Sequence, residues 1–498
     1  MSADSTGTSN RRLTIILIVA CMAQFMVILD VSIVNVALPA IRKALHFSEA
    51  DLQWVVNAYT VTFAGFLLLG GRAADLLGRR KVFVGGMLLF VLASFLGGIS
   101  QSQTMLIIAR LVQGLGGAVI APASLSIITT TFTDAKERNR AIGIWGAMGG
   151  AGGAAGVLFG GLIVDLISWR WIFFINVPIG LITAYLAQRM VAEGNNPNAT
   201  RHFDLAGALS ATIGLSALVY GIVQTTTTGW GNAGTLTTIA AGIAVLALFV
   251  VIEGRFAKVP LMPLRLFKSR ALSSANAIIA AVGGATFAMW FFYSLYLQTV
   301  NGYSPLHAGL IFLPMTIAIV VGSQVASRTV ARFGPKPLLI TGMLLLTGGL
   351  LLFTDITPAG SYLSEGVLPS LLVSFGMPLA FIPGTISATA GVQPHEAGIA
   401  SGIVNTARMF GGALGLAVLA TIATSRTKHD LSHPTAAIHT ANQALTNGFH
   451  YGFVGGSIVA ALGLLVAIFL VPSIKLRPAA VVVEEGEDTV AVALAIEV

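Results

Sequence analysis

The chain has 498 residues, of which 55% are hydrophobic and only 10% are charged, and its mean hydropathy is +0.85. A soluble domain carries about 25% charged residues, so this composition excludes an ordinary soluble protein and indicates a chain that crosses a membrane many times. The single cysteine, Cys21, excludes an intrachain disulfide and a cysteine metal cluster.

Fourteen apolar runs are long enough to cross a bilayer, which takes about 20 apolar residues in a helix. The first run is too long for the apolar part of a signal peptide, so we expect it to be retained behind a short cytoplasmic N-terminus at 1–12. The runs lie at about 13–36, 52–71, 82–100, 104–128, 141–163, 171–190, 205–224, 236–254, 271–297, 307–327, 337–354, 366–390, 398–423 and 450–472. We therefore predict an all-α polytopic membrane protein with fourteen transmembrane helices. The acidic tail at 476–498 is predicted to be disordered.

The basic residues fall mainly on one side of this arrangement. An even number of helices places both termini on the same side, and with that side cytoplasmic, 21 of the 28 Lys and Arg residues lie in cytoplasmic segments. Cytoplasmic loops of membrane proteins show this excess. We therefore predict cytoplasmic termini in a bacterial-type cell membrane. The net charge of +8 is thereby explained by topology, and no nucleic-acid partner is expected.

Asp30 and Arg110 are ionisable residues inside apolar runs. Asp30 lies in the first run, where an ionised carboxylate costs roughly 2.5–3.5 kcal/mol on insertion scales, and such residues usually face a bundle interior or a water-filled cavity. Arg110, in the fourth run, is unlikely to lose its proton and needs an acceptor such as Asp30 or a backbone carbonyl. Gln113 lies one turn further along on nearly the same helical face. A purely structural pair is the alternative to a functional site.

Two segments of the sequence repeat at nearly the same offset. Residues 71–81 correspond to 327–337 at an offset of 256, and residues 137–144 correspond to 396–403 at an offset of 259. Parallel repeats of six helices are a transporter architecture. We predict an N-terminal six-helix bundle at 13–195, two inserted helices at 196–262 and a C-terminal six-helix bundle at 263–475.

Five motifs carry a family resemblance over residues 13–472. They are LDVSIVNVALPAI (29–41), GRAADLLGRRK (71–81), ARLVQGLGGAVIAPA (109–123), GGAAGVLFGG (152–161) and SWRWIFFINVPIG (168–180). Together they resemble the major facilitator superfamily and, within it, the fourteen-span drug:proton antiporters. The fifth-span motif departs from the family pattern, with Gly153 and Val157 where prolines are usual. The resemblance implies a major facilitator fold that exports drugs in exchange for protons.

The resemblance assigns proton coupling to Asp30, Arg110 and Gln113. A buried carboxyl can take up a proton because burial disfavours its charged form, whereas an approaching cation favours that form. One site can therefore alternate between a proton and a cationic drug. For Arg110 the resemblance implies a role in proton transfer, through modulation of a nearby carboxylate.

Two glycine-containing segments are predicted to serve the conformational cycle. A short cytoplasmic loop is expected to latch the two halves in one state, although basic loops also arise from topology alone; its residues are Gly71, Arg72, Asp75, Gly78, Arg79 and Arg80. The antiporter glycine motif allows close helix packing, to which the family adds a hinge or a seal against proton leak. Its residues are Gly152, Gly156, Gly160 and Gly161.

Aromatic side chains with sparse polar groups suit varied apolar ligands, although packing against lipid or other helices explains each residue equally well. The candidates for a substrate cavity are Phe25, Trp54, Asn57, Tyr59, Trp145, Trp290, Tyr293, Tyr296, Asn405 and Arg408. Some relatives carry an acidic residue near Arg408 for divalent cations, but none occurs here between Gly398 and Thr424. This disfavours dicationic substrates and leaves neutral, anionic or zwitterionic natural products.

We therefore predict a monomeric secondary transporter that exports lipophilic drugs or natural products by proton antiport, without a cofactor or a metal site. An importer of a nutrient or siderophore on the same fold is the first alternative. A membrane enzyme or sensor is the second, which the eight histidines disfavour because all lie in loops or at span ends. The sequence contains no Walker-type phosphate loop that would indicate direct use of ATP.

Overall fold

The computed structural model describes residues 3–193 and 204–473 apart from 391, 394, 395, 436, 437 and 439, together with two short strands near the C-terminus. Within these residues, 14 helices are long and apolar enough to cross a membrane, which confirms the predicted number. We number them α1 Ala3–Leu45, α2 Trp54–Leu77, α3 Arg79–Gly98, α4 Gln103–Thr131, α5 Ala135–Leu166, α6 Asn176–Met190, α7 Leu205–Thr228, α8 Ala233–Val251, α9 Arg270–Leu295, α10 Pro305–Phe333, α11 Pro335–Leu352, α12 Val367–Thr389, α13 Ala397–Ser432 and α14 Ala441–Phe469.

Polar capping residues determine where the long apolar sequence is divided into helices. Ser102 precedes α4 and accepts a hydrogen bond from the backbone of Met105, and Asp204 does the same for Gly207 at the start of α7. Ser304 caps α10, whose first residue is Pro305. Such side chains satisfy backbone N–H groups that have no partner within the helix. The first and last helices place both ends of the bundle on one membrane face, which we call the terminal face.

Closely packed glycines join equivalent helices in the two halves. A Cβ added at Gly156 of α5 would lie 2.7 Å from the Cβ of Ser32 in α1. A Cβ added at Gly415 of α13 would lie 2.8 Å from the carbonyl carbon of Gly284 in α9. Helix backbones in membranes approach this closely only where residues are small. We call α1–α5 the first seam and α9–α13 the second seam.

The sequence repeat has a backbone counterpart on the terminal face. Gly78, between α2 and α3, has a φ of 101°, and Gly334, between α10 and α11, has a φ of 78°. These are left-handed conformations that glycine adopts without steric cost. The two glycines stand at the offset of 256 at which the sequence segments align.

The two halves meet on the face opposite the termini. Ser294 Oγ donates to the carbonyl of Asn35 at 2.6 Å, and Gln298 Nε2 donates to the carbonyl of Val36 at 2.9 Å. A Cβ added at Gly161 of α5 would lie 2.5 Å from the carbonyl oxygen of Pro305 at the start of α10. Toward the terminal face α5 leaves this packing, since a Cβ at Gly143 or at Gly146 would have no neighbour within 4 Å. The halves therefore pack together on the opposite face, whereas these two glycines of α5 have no close neighbour among the described residues.

Helices α7 and α8 pack beside this interface. α7 forms an apolar cluster with α2 and α13, and Thr421 of α13 donates to the carbonyl of Ile222 in α7 at 3.4 Å. α8 packs mainly on α7 and exposes most of its surface, as expected for a helix that faces lipid.

The C-terminal tail requires one correction. We predicted disorder over 476–498, but Lys475–Pro478 and Leu494–Glu497 form an antiparallel pair, with Lys475 opposite Glu497 and Leu476 opposite Ile496. The intervening residues of the tail lie outside the described part of the chain.

Candidate functional site

Asp30 is the centre of a buried polar network in the first half. Its side chain is 0% exposed in the middle of α1. Arg110 Nη1 lies 2.6 Å from Oδ2, while Gln113 Nε2 donates to Oδ1 at 2.6 Å and Asn176 Nδ2 donates to Oδ1 at 3.1 Å. Three side-chain donors therefore converge on the two carboxylate oxygens of Asp30.

Arg110 is neutralised and fixed in orientation by several partners at once. Its Nε donates to the carbonyl of Val55 in α2 at 2.9 Å, and its Nη1 also donates to Gln113 Oε1 at 2.6 Å. The ring of Tyr59 covers the guanidinium, with its centroid 4.5 Å from Cζ. The sequence indicated Asp30 or a backbone carbonyl as the acceptor, and the structure supplies both.

Gln113 links the carboxylate to a further helix. Its Nε2 contacts Ser94 Oγ of α3 at 2.8 Å as well as Asp30. The network therefore joins α1, α2, α3, α4 and α6, so that a change at Asp30 affects most helices of the first half. Low-dielectric surroundings strengthen such a network and make the loss of any one partner costly.

The first seam holds the helical turn that carries Asp30. Cβ atoms added at Gly152, Gly156 and Gly160 would meet α1 between Phe25 and Ile33, at 2.7–2.9 Å from their nearest atoms. Ser32 Oγ donates to the carbonyl of Gly153 at 2.9 Å across the same seam. The fourth glycine of the motif, Gly161, packs on α10 instead. Three glycines of the motif therefore hold the turn of α1 that carries Asp30, and Gly161 packs against the second half.

The predicted latch segment is mostly helical, so the expectation of a loop is wrong for all but one residue. α2 continues through Gly71, Arg72 and Asp75 to Leu77, and α3 starts at Arg79, which leaves Gly78 alone between them. Alanine and leucine between these positions favour helix, and Gly78 permits the sharp turn.

Within the latch segment, the described contact of Arg80 lies inside the first half. Arg80 Nε donates to Glu193 Oε2 at 3.3 Å, beyond the end of α6. The side chain of Asp75 lies outside the described residues. A latch between the two halves therefore stays a prediction.

The predicted cavity residues fall into two groups in this conformation. Asn57, Tyr59, Tyr293 and Tyr296 are each at most 3% exposed and contact other parts of the bundle. Phe25, Trp145, Trp290, Asn405 and Arg408 are partly exposed, as is Trp54, which packs against Tyr220 of α7. The partly exposed residues away from α7 remain the candidates for a substrate surface.

Two members of the network were not among the sequence candidates for the proton site. Asn176 lies in the motif at 168–180, but nothing in one sequence distinguishes it from an asparagine that only satisfies its own helix. Ser94 lies outside all five motifs. Their partners lie 146 and 19 residues away along the chain, so spacing on one helix gave no signal.

Comparison with known proteins decides the family. Residues 20–416 match the sequence pattern of the Major Facilitator Superfamily. The chain belongs to this superfamily. It is therefore a multi-pass membrane protein of a transporter family.

The similar proteins include exporters and resistance proteins. The cephamycin export protein CmcT of Amycolatopsis lactamdurans is 42% identical over 429 residues, covering 85% of this chain and 88% of the relative. The puromycin resistance protein pur8 of Streptomyces alboniger is 36% identical over 452 residues, covering 90% and 88%. The tetracenomycin C resistance and export protein of Streptomyces glaucescens is 36% identical over 411 residues, covering 82% and 76%.

Solved structures support the same fold. The inward-open xylose transporter XylE from E. coli aligns with a TM-score of 0.61 at 15% identity, covering 93% of this chain and 97% of that one. A bacterial homolog of the human lysosomal transporter Spinster, inward-facing and occupied, aligns with a TM-score of 0.61 at 16% identity, covering 91% and 95%.

Proposed function

We propose that this protein exports lipophilic drugs or natural products from the cell in exchange for protons. The buried contact between Asp30 and Arg110 carries the proposal, because a carboxylate inside a transporter bundle can exchange a proton only if its charge is compensated in one state and removed in the other. The export and resistance functions of the relatives at 36–42% identity support the direction of transport.

The geometry corresponds to the proton-free state of such a site. Arg110 neutralises Asp30, and two amide donors complete the hydrogen bonds of the carboxylate. Uptake of a proton would remove the negative charge and weaken all three contacts, while Arg110 would keep its contacts with Val55 and Gln113. Asp30 would then constrain α1 less than it does here.

The same helix connects the proton site to the closure between the halves. Asn35 and Val36, one to two turns beyond Asp30 in α1, accept the hydrogen bonds from Ser294 and Gln298. A movement of α1 therefore changes the proton site and the closure on the opposite face together. This is the two-state element that coupled transport requires.

The excess of basic residues supports cytoplasmic termini in the cell membrane. In that orientation the halves are packed together on the outer side, and export would load its substrate from the cytoplasmic side. The proton gradient and the membrane potential would supply the driving force, the potential contributing about 2.3 kcal/mol per charge per 100 mV. We expect the transporting unit to be one chain.

Everted membrane vesicles with an imposed inside-acid pH gradient test this function. Addition of a transported antibiotic is expected to release protons from the vesicles and to partly collapse the gradient, and vesicles without the protein are the control. Release that is absent for every compound exported by the relatives would contradict drug:proton antiport. Acidification of the lumen on addition of the compound would indicate symport instead.

A further inference from the structure

Arg408 is a charged residue inside a membrane-spanning helix of the second half, and it takes no part in the proposed proton site. It lies inside α13, and its buried Nε has no hydrogen-bond partner. No carboxylate in the described part of the chain lies within 4.0 Å of its guanidinium, although Arg42, Arg80, Arg110, Arg265 and Arg426 all have such a partner. Arg408 thus differs from the paired arginines of the same structure.

The neighbours of Arg408 do not compensate its charge. The ring of Phe381 in α12 lies 5.5 Å from Cζ, a cation–π contact whose stabilisation is small beside the cost of desolvating a cation. Asn405, one turn earlier, donates its Nδ2 to the carbonyl of Ser401. Asp30 is already neutralised by Arg110, so it does not compensate the positive charge of Arg408.

From this charge balance we infer that Arg408 binds an anionic group of the transported compound. The inference rests on the proposed export function and specifies its substrate class: a lipophilic compound that carries a carboxylate or a similar singly charged oxyanion. The planar guanidinium suits an oxyanion because two of its N–H groups can donate in parallel. The aromatic side chains of Phe25 and Trp290, which are partly exposed, are the proposed contacts for the apolar part of the compound.

Binding of an acid and its ester to the purified protein tests this inference. The probes are a fluorescent aryl-alkyl carboxylate, pyrenebutyrate, and its methyl ester, which have the same apolar body. The wild type is expected to bind the acid about tenfold more tightly than the ester, or better. Arg408→Gln is expected to lose that preference while keeping its affinity for the ester, and Arg408→Lys is expected to show an intermediate preference.

Arg426→Gln provides a matched control on the same helix. Arg426 is already paired with Asp430 at 3.1 Å, so its removal is expected to leave the acid-to-ester ratio unchanged. A wild-type protein without preference for the acid, or an R408Q protein that keeps the preference, would overturn the inference. Proton release measured with the same compounds is a separate readout, and its failure would count against antiport and not against the anion site.

Discussion

The first and second seams have the same packing but opposite electrostatic character. Gly156 packs against Leu29 and Ser32 of α1, and Gly415 packs against Gly284 of α9. Asp30 lies on α1 of the first seam, and Arg408 lies on α13 of the second. The first seam thus carries a neutralised acid, whereas the second carries an arginine without a counter-ion.

This difference indicates a division of labour between two halves of similar construction. Close backbone approach depends on small residues at fixed positions, so both halves retain glycines there. A buried charge depends on its partners, which the first half supplies to Asp30. Proton exchange would accordingly belong to the first half and recognition of the anionic substrate to the second.

The largest expected effect comes from replacing Arg110 in the first half and Arg408 in the second half, one at a time. Arg110→Met leaves Asp30 buried without a counter-ion and is expected to cost roughly 3–5 kcal/mol of stability. Arg408→Met removes a charge that has no protein counter-ion and is expected to cost much less. Thermal unfolding in detergent measures both variants, and equal losses of stability would contradict the proposed electrostatic difference between the two halves. The double variant D30N/R110M should recover stability without recovering transport.

The seams themselves can be compared by adding one methyl group to each. Gly156→Ala and Gly415→Ala both place a Cβ within 3 Å of the neighbouring helix, and each is expected to cost about 1–3 kcal/mol through overpacking. Only G156A shifts the turn that carries Asp30, so only this variant should also transport fewer substrate molecules per proton. Equal loss of proton coupling in both variants would contradict separate roles for the seams.

Asn176 offers a smaller and more specific perturbation of the proton site. Asn176→Ala removes one of the three donors to Asp30, so the variant should transport fewer substrate molecules per proton than the wild type. Asn405→Ala, on the second seam, should leave this ratio unchanged. Parallel measurement of substrate and proton flux gives the ratio, and an unchanged ratio in N176A would argue that Asn176 does not act on Asp30.

The smallest effect is expected at the closure between the halves. Ser294→Ala removes the hydrogen bond to Asn35, worth about 0.5–1.5 kcal/mol, and should increase the population that is open on the opposite face. Ser274→Ala, a buried serine that bonds only within α9, serves as control. Spin-label distances across the opposite face report the change, and identical distributions in both variants would exclude a role of Ser294 in closure.

The sequence predicted the features that depend on composition and on the high free energy of an ion inside a bilayer. Fourteen helices follow from apolar run length, and Asp30 and Arg110 are conspicuous because ions in a bilayer are expensive. Asn176 and Ser94 could not be assigned, since uncharged polar residues cost little and their contacts depend on how distant helices meet. The segment at 71–81 was predicted as a loop because its charges suggested one, whereas its alanines and leucines favour helix.

The central claim is that Asp30 carries the exchanged proton, and Asp30→Asn in reconstituted vesicles tests it directly. Two rates are compared: uptake driven by a pH gradient, and exchange of labelled for unlabelled substrate without a gradient. The proposal predicts that D30N retains exchange, because the amide replaces the protonated carboxyl in shape and charge, but loses gradient-driven uptake. Gradient-driven uptake at the wild-type rate in D30N would show that the proton is carried elsewhere.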